Sequence, residues 1–142
     1  MYQKYPREIK ILNRYIEARA EYYREQRTLE EIEALLYGTP AQISNAKVQT
    51  SPKIDKLSGQ VDRHMDLIKR CHYKQQKAAE EMRKVLELID GLDTPLYKEV
   101  LTKRYIHGQR WEQIAIDLNY TFSMIMKLHN KSIEELKQKY LI

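Results

Sequence analysis

The sequence predicts an all-α fold, in which a long N-terminal antiparallel helical hairpin or coiled coil is followed by three helices forming a helix-turn-helix. Three observations lead there. Gly and Pro number only 4 each in 142 residues, too few breakers for a strand-rich or disordered chain. Arg7 to Tyr37 contains neither, and a seven-residue repeat runs from Ile54 to Ile89. The expected division is a helical arm over 1–93, with a loop at 38–52, and a helix-turn-helix domain over 94–142.

The first helix should open at Pro6, whose missing N–H would be an orphan donor at a helix start anyway. Its apolar positions Ile9, Leu12, Ile16, Ala20 and Tyr23, then Leu29, Ile32 and Leu36, follow three-and-four spacing with a change of phase near Gln26 to Thr28. Gly38 is placed to end it as a C-cap, and the polar segment GTPAQISNAKVQTSP that follows reads as a loop. The second helix should start near Ser51 or Pro52. Ile54, Val61, Ile68, Gln75, Met82 and Ile89 form one row along it, and Leu57, His64, Cys71, Ala78 and Val85 form a second row three residues on. Either the first helix folded back antiparallel or a second copy of the chain satisfies this pattern, so a homodimer is an expected partner. After Gly91, Asp93 and Thr94 offer an N-cap before Pro95. Three helices are then expected over about 95–106, 111–118 and 122–140.

Composition narrows the function. The 25 Lys and Arg exceed the 20 Asp and Glu, for a net charge of +5, and from Pro95 onward the excess is three. Such a balance permits nucleic-acid binding without demanding it. The basic run Lys69, Arg70, Lys74, Lys77, Arg83 and Lys84 could extend a nucleic-acid footprint, but such a run is more often a solvated face, and Glu80 and Glu81 partly neutralise it. One cysteine, Cys71, cannot form an internal disulfide, and MYQKYPREIK lacks the apolar core of a secretory signal, so a cytoplasmic location is expected. No window holds the roughly 20 apolar residues that a membrane span needs. His64, Cys71 and His72 lack metal-ligand spacing, and there is no phosphate-binding glycine loop, nucleophile elbow or His-Glu-x-x-His. Catalysis, a cofactor and a metal are not expected. The 11 tyrosines define no ordered stacking platform for single strands.

Function concentrates between Leu101 and Ile133. Leu101, Tyr105, Trp111, Ile114, Ala115, Leu118, Ile125 and Leu128 have the three-helix spacing of a helix-turn-helix, with Ala115 small enough for a close crossing. Trp111 reads as a core anchor. Asn119 tolerates the left-handed conformation that a tight turn needs, and Thr121 can cap the last helix, the recognition helix of this reading. The N-terminus of that helix would favour a phosphate or a base edge.

The stretch RYIHGQRWEQIAIDLNYTFSMIMKLHNKSIEEL resembles the DNA-binding region four of bacterial sigma factors. It is more closely similar to small phage and prophage transcription regulators of the ArpU and RinA type, through Arg104, Tyr105, Trp111, Ile114, Ala115, Tyr120, Thr121, Leu128 and His129. The resemblance implies a regulator that activates phage late or packaging genes in a bacterial host cell, on double-stranded promoter DNA and with contacts to host RNA polymerase. Carried over by residue, it places Phe122, Ser123, Met126 and Lys127 at the bases, with Arg110 and Lys131 near phosphates; Thr121, at the start of the helix, and Arg104, a candidate phosphate anchor, complete the expected DNA-binding set. Lys103 is a further candidate phosphate anchor. Where the family carries arginine or other polar residues, this chain has Phe122, Met124 and Met126. These cannot form bidentate bonds to guanine or adenine but can meet thymine methyl groups. The alternative is that the three form an apolar patch for a protein partner, on a scaffold with weak DNA readout. His129 is open between a solvated or packing role and a phosphate contact.

Overall fold

The computed structural model describes residues 4–38 and 54–140, and among these it holds six helices and no strand. They are α1 (Pro6–Leu12), α2 (Arg14–Tyr37), α3 (Ile54–Asp90), α4 (Pro95–Tyr105), α5 (Trp111–Leu118) and α6 (Phe122–Tyr140). The loop expected at 38–52 lies outside the described residues except for Gly38, which caps α2 at φ 75°.

The single helix expected from Pro6 to Tyr37 is interrupted at Asn13. Asn13 still donates to the Ile9 carbonyl at 2.9 Å and accepts from the Glu17 N–H at 3.0 Å. Its ψ of −8° is nevertheless far from the roughly −42° of a regular α-helix, and asparagine is a residue that favours turns over helix interiors.

The described residues fall into two compact units, one reaching to Ala18 and resuming at Ala78, the other Arg19–Lys77. Segments 4–18 and 78–93, expected in the arm, are therefore counted with the C-terminal helices. The reason is a shared core: Tyr5 and Leu12 from the N-terminal end, Val85, Ile89 and Leu92 from the end of α3 and just beyond, and Leu101, Tyr105, Ile106, Ile133 and Leu136 are all buried in one cluster. Polar contacts close its rim. The Tyr5 hydroxyl donates to Glu134, which pushes its pKa up to about 12, and buried Glu8 pairs with Lys137 at 3.6 Å. Thr94 takes the N-cap position of α4, but its hydroxyl bonds Glu135 at 3.2 Å instead of capping, while the same carboxylate accepts the Asp93 N–H at 2.8 Å. At Gly91 a Cβ would fall 1.6 Å from the Tyr140 hydroxyl oxygen, so a larger residue there would require the Tyr140 side chain to move.

In the other unit α2 and α3 are joined by Glu21–Lys74 at 2.9 Å, Glu25–Arg70 at 4.0 Å and Glu33–His64 at 3.0 Å. Partner numbers fall along α3 as they rise along α2, so the two segments run antiparallel. Lys74, donating to Glu21, holds that carboxyl below its ordinary pKa. Of the two rows on α3, it is the His64–Cys71 row that turns inward within Arg19–Lys77, while Ile89 of the other row is buried in the first unit's core. Burial of Cys71, with Glu25, Glu30 and Glu33 nearby, pushes its thiol up. Val61 and Ile68, from the other row, stay 39% and 36% exposed.

Candidate nucleic-acid interface

Helices α4, α5 and α6 each pack against the other two. The turn from α5 to α6 is made by Asn119, Tyr120 and Thr121. Asn119 adopts φ 59° and ψ 39°, the left-handed conformation that asparagine tolerates best after glycine. The Tyr120 N–H returns to the Ala115 carbonyl at 2.9 Å, closing α5, and Thr121 Oγ1 accepts the Met124 N–H at 3.2 Å, opening α6. Ile114, Ala115 and Ile125 are buried between these helices, with Trp111, Leu118, Tyr120 and Leu128 around them. The earlier turn, from α4 to α5, passes through Gly108 at φ 66°.

On α6 the buried row is Ile125, His129, Ser132, Ile133 and Leu136. At about 100° per residue, Ser123, Lys127 and Glu134 project from the opposite side, and all three are exposed. Exposed Lys131 lies at the edge of a shallow groove that also contains Asp93, Glu134 and Glu135. Arg110 is exposed at the N-cap of α5. Among the described residues, Arg110, Lys127 and Lys131 form no ion pair, which leaves their charge available to an anion. Phe122 and Met126, four residues apart, share one flank of α6, whereas Met124 falls on the other. The apolar residues therefore border the polar strip instead of forming one patch, with Phe122 and Met124 44% and 47% exposed and Met126 half-buried.

Arg104 has a different setting from the other cations. Its guanidinium stacks over the Trp111 ring at 4.6 Å and donates to the Gln109 carbonyl at 2.9 Å, so part of its donor capacity braces the α4–α5 turn. Lys103 pairs with Asp117 at 3.8 Å, across the same two helices.

Trp111 also touches a group whose burial the sequence did not reveal. The His129 ring meets Trp111 edge-on at 4.7 Å, and its Nε2 lies 2.7 Å from the Tyr105 hydroxyl. His129 is 2% exposed, which closes it to a phosphate. Burial, assisted by the Arg104 charge, lowers its pKa from 6.5 to about 4. A histidine kept neutral in the folded state takes up its proton more readily when unfolded, so it adds stability that is present above pH 6.5 and lost as pH falls towards 4. Between pH 7 and pH 5 this group should contribute a loss of about 2 kcal/mol. His129→Gln, which can still accept from Tyr105, should flatten that part of the acid limb in thermal melts; an unchanged pH profile would refute the assignment. The only advance signal was the Leu-His pair, which does not distinguish an inward from an outward ring.

Among the described residues no group of three or more His, Cys, Asp or Glu could hold a metal ion, and no helix is long and apolar enough to cross a membrane. Comparison with protein-family models, characterised proteins and solved structures finds no match for this chain.

Proposed function

We propose that this protein is a transcription regulator, an activator of phage late or packaging genes, that binds promoter DNA with α4–α6 acting as a helix-turn-helix like sigma region four. The observation that carries the reading is the outer face of α6. Thr121 caps its start, Ser123 and Lys127 project outward, and Arg110 and Lys131 add unpaired charge nearby. In this reading α6 enters the major groove, Ser123 meets a base edge, and Phe122 and Met126 contact thymine methyl groups. The cations anchor the backbone. Host RNA polymerase is the proposed protein partner, and the bacterial cytoplasm the proposed location.

The test is binding of the purified chain to fragments of its neighbouring genomic region against a scrambled competitor, at low and near-physiological salt. The expected result is a competitor-resistant complex on one fragment that weakens as salt rises. Sequence-indifferent binding, or none, would overturn the reading. A second reading, a protein-docking module with weak DNA readout, is favoured by the exposure of Ile116 at 69% beside that of Phe122 and Met124. It predicts that Met126→Arg impairs a polymerase complex while sparing or strengthening DNA affinity.

A further inference from the structure

We infer that the outer flank of α3, within Arg19–Lys77, is a docking surface for a second copy of this chain, in which two α3 helices cross antiparallel along Val61, Met65 and Ile68. These three residues are spaced by four and then three, so they share one face of the helix, about a quarter turn from the inward His64–Cys71 row. All are exposed, at 39%, 48% and 36%, and exposed His72 continues the row. An apolar row at heptad spacing, left exposed by the described residues, is the pattern of a helix–helix seam.

The charges beside the row select the occupant and its direction. Asp62 and Lys69, one heptad apart on the solvent edge, are both exposed and form no ion pair among the described residues. The other edge is occupied by His64 and Cys71, which face inward towards α2. In a parallel pair of helices each edge meets the opposite kind of edge, and the buried His64–Cys71 edge has no charge to offer Asp62 or Lys69. In an antiparallel pair each edge meets its own kind. About a two-fold axis, Asp62 of one copy then faces Lys69 of the other, twice over. The surface is thus complementary to itself in charge as well as in apolar spacing. It is also short, so the association should be weak and set by concentration. Self-association along this face does not depend on DNA binding and can be tested without DNA.

The experiment is sedimentation equilibrium of the full chain over a range of concentrations, alongside far-ultraviolet circular dichroism. The mass of the natural protein should rise from 17.1 kDa towards twice that value. Met65→Glu with Ile68→Glu should hold the chain at the single mass with its helix content unchanged. Asp62→Lys and Lys69→Asp should each weaken association at least several-fold, by setting like charges opposite one another, and the two together should restore it. A natural protein that stays at the single mass throughout would overturn the inference. So would a dimer indifferent to Met65 and Ile68, or a double charge swap no better than either single change.

Discussion

Replacing Leu12 by Ala should lower the unfolding free energy of the C-terminal helices' unit by about 2–5 kcal/mol, as much as Ile133→Ala within α6. Leu12 lies far from α4–α6 in sequence, yet it is 0% exposed and belongs to the same buried cluster as Leu101, Tyr105, Ile133 and Leu136. Natural domains are stable by only about 5–15 kcal/mol, so the change would remove a large fraction of the total. The same packing makes residues 94–142, cut out alone, a poor folding unit. Without Tyr5, Leu12, Val85, Ile89 and Leu92, the inner faces of α4 and α6 would meet water. Thermal melts followed by circular dichroism should show the fragment weakly helical and without a cooperative transition, and the Leu12→Ala chain with a clearly lower melting temperature. A cooperative fragment, or a Leu12→Ala change costing under about 0.5 kcal/mol, the range typical of surface substitutions, would show that the N-terminal segment is dispensable.

Arg110→Ala, Lys127→Ala and Lys131→Ala together should weaken binding to the target fragment by on the order of 100-fold, at roughly 1 kcal/mol per cation. The salt dependence is the more diagnostic readout. Each lost phosphate contact removes about 0.9 from the slope of log affinity against log salt, so the triple variant should be shallower by between about 2 and 3. The three side chains are exposed and unpaired among the described residues, so helix content and melting temperature should scarcely change. Arg104 is left out of the set because removing it would also uncover Trp111 and free the Gln109 carbonyl, mixing a folding effect into the binding one. An unchanged slope would remove α6 and its neighbours from the DNA reading, whatever the absolute affinity.

The parts of this architecture that depend on local chemistry were legible in the sequence. Pro6 and Pro95 open helices, Gly38 closes one, Asn119 takes the left-handed turn and Thr121 caps α6, because each answers to its own backbone geometry or to neighbours a few residues away. The core positions Ile114, Ala115 and Ile125 could be read from helical spacing for the same reason. What escaped depends on partners distant in sequence. Tyr5 meets Glu134, and Glu8 is buried beside Lys137; nothing at the N-terminal end announces either. Thr94 looked like a cap but bonds a carboxylate 41 positions away. On α3 both heptad rows satisfied the pattern, and periodicity alone could not say that Val61 and Ile68 would face outward. For the candidate interface, the spacing identified which residues lie on α6, but not that Phe122 and Met126 flank it on one side and Met124 on the other, nor that Arg104 stacks on Trp111.

Trp111 is the chain's one tryptophan, and it contacts both the Arg104 guanidinium and the His129 imidazole, where α4, α5 and α6 meet. Indole emission is sensitive to the polarity around the ring and is quenched by a protonated imidazole in contact with it. The protein therefore carries an intrinsic optical reporter at the junction of these helices. Without any label, its fluorescence should report loosening of the three-helix junction on unfolding and the protonation of His129 in acid.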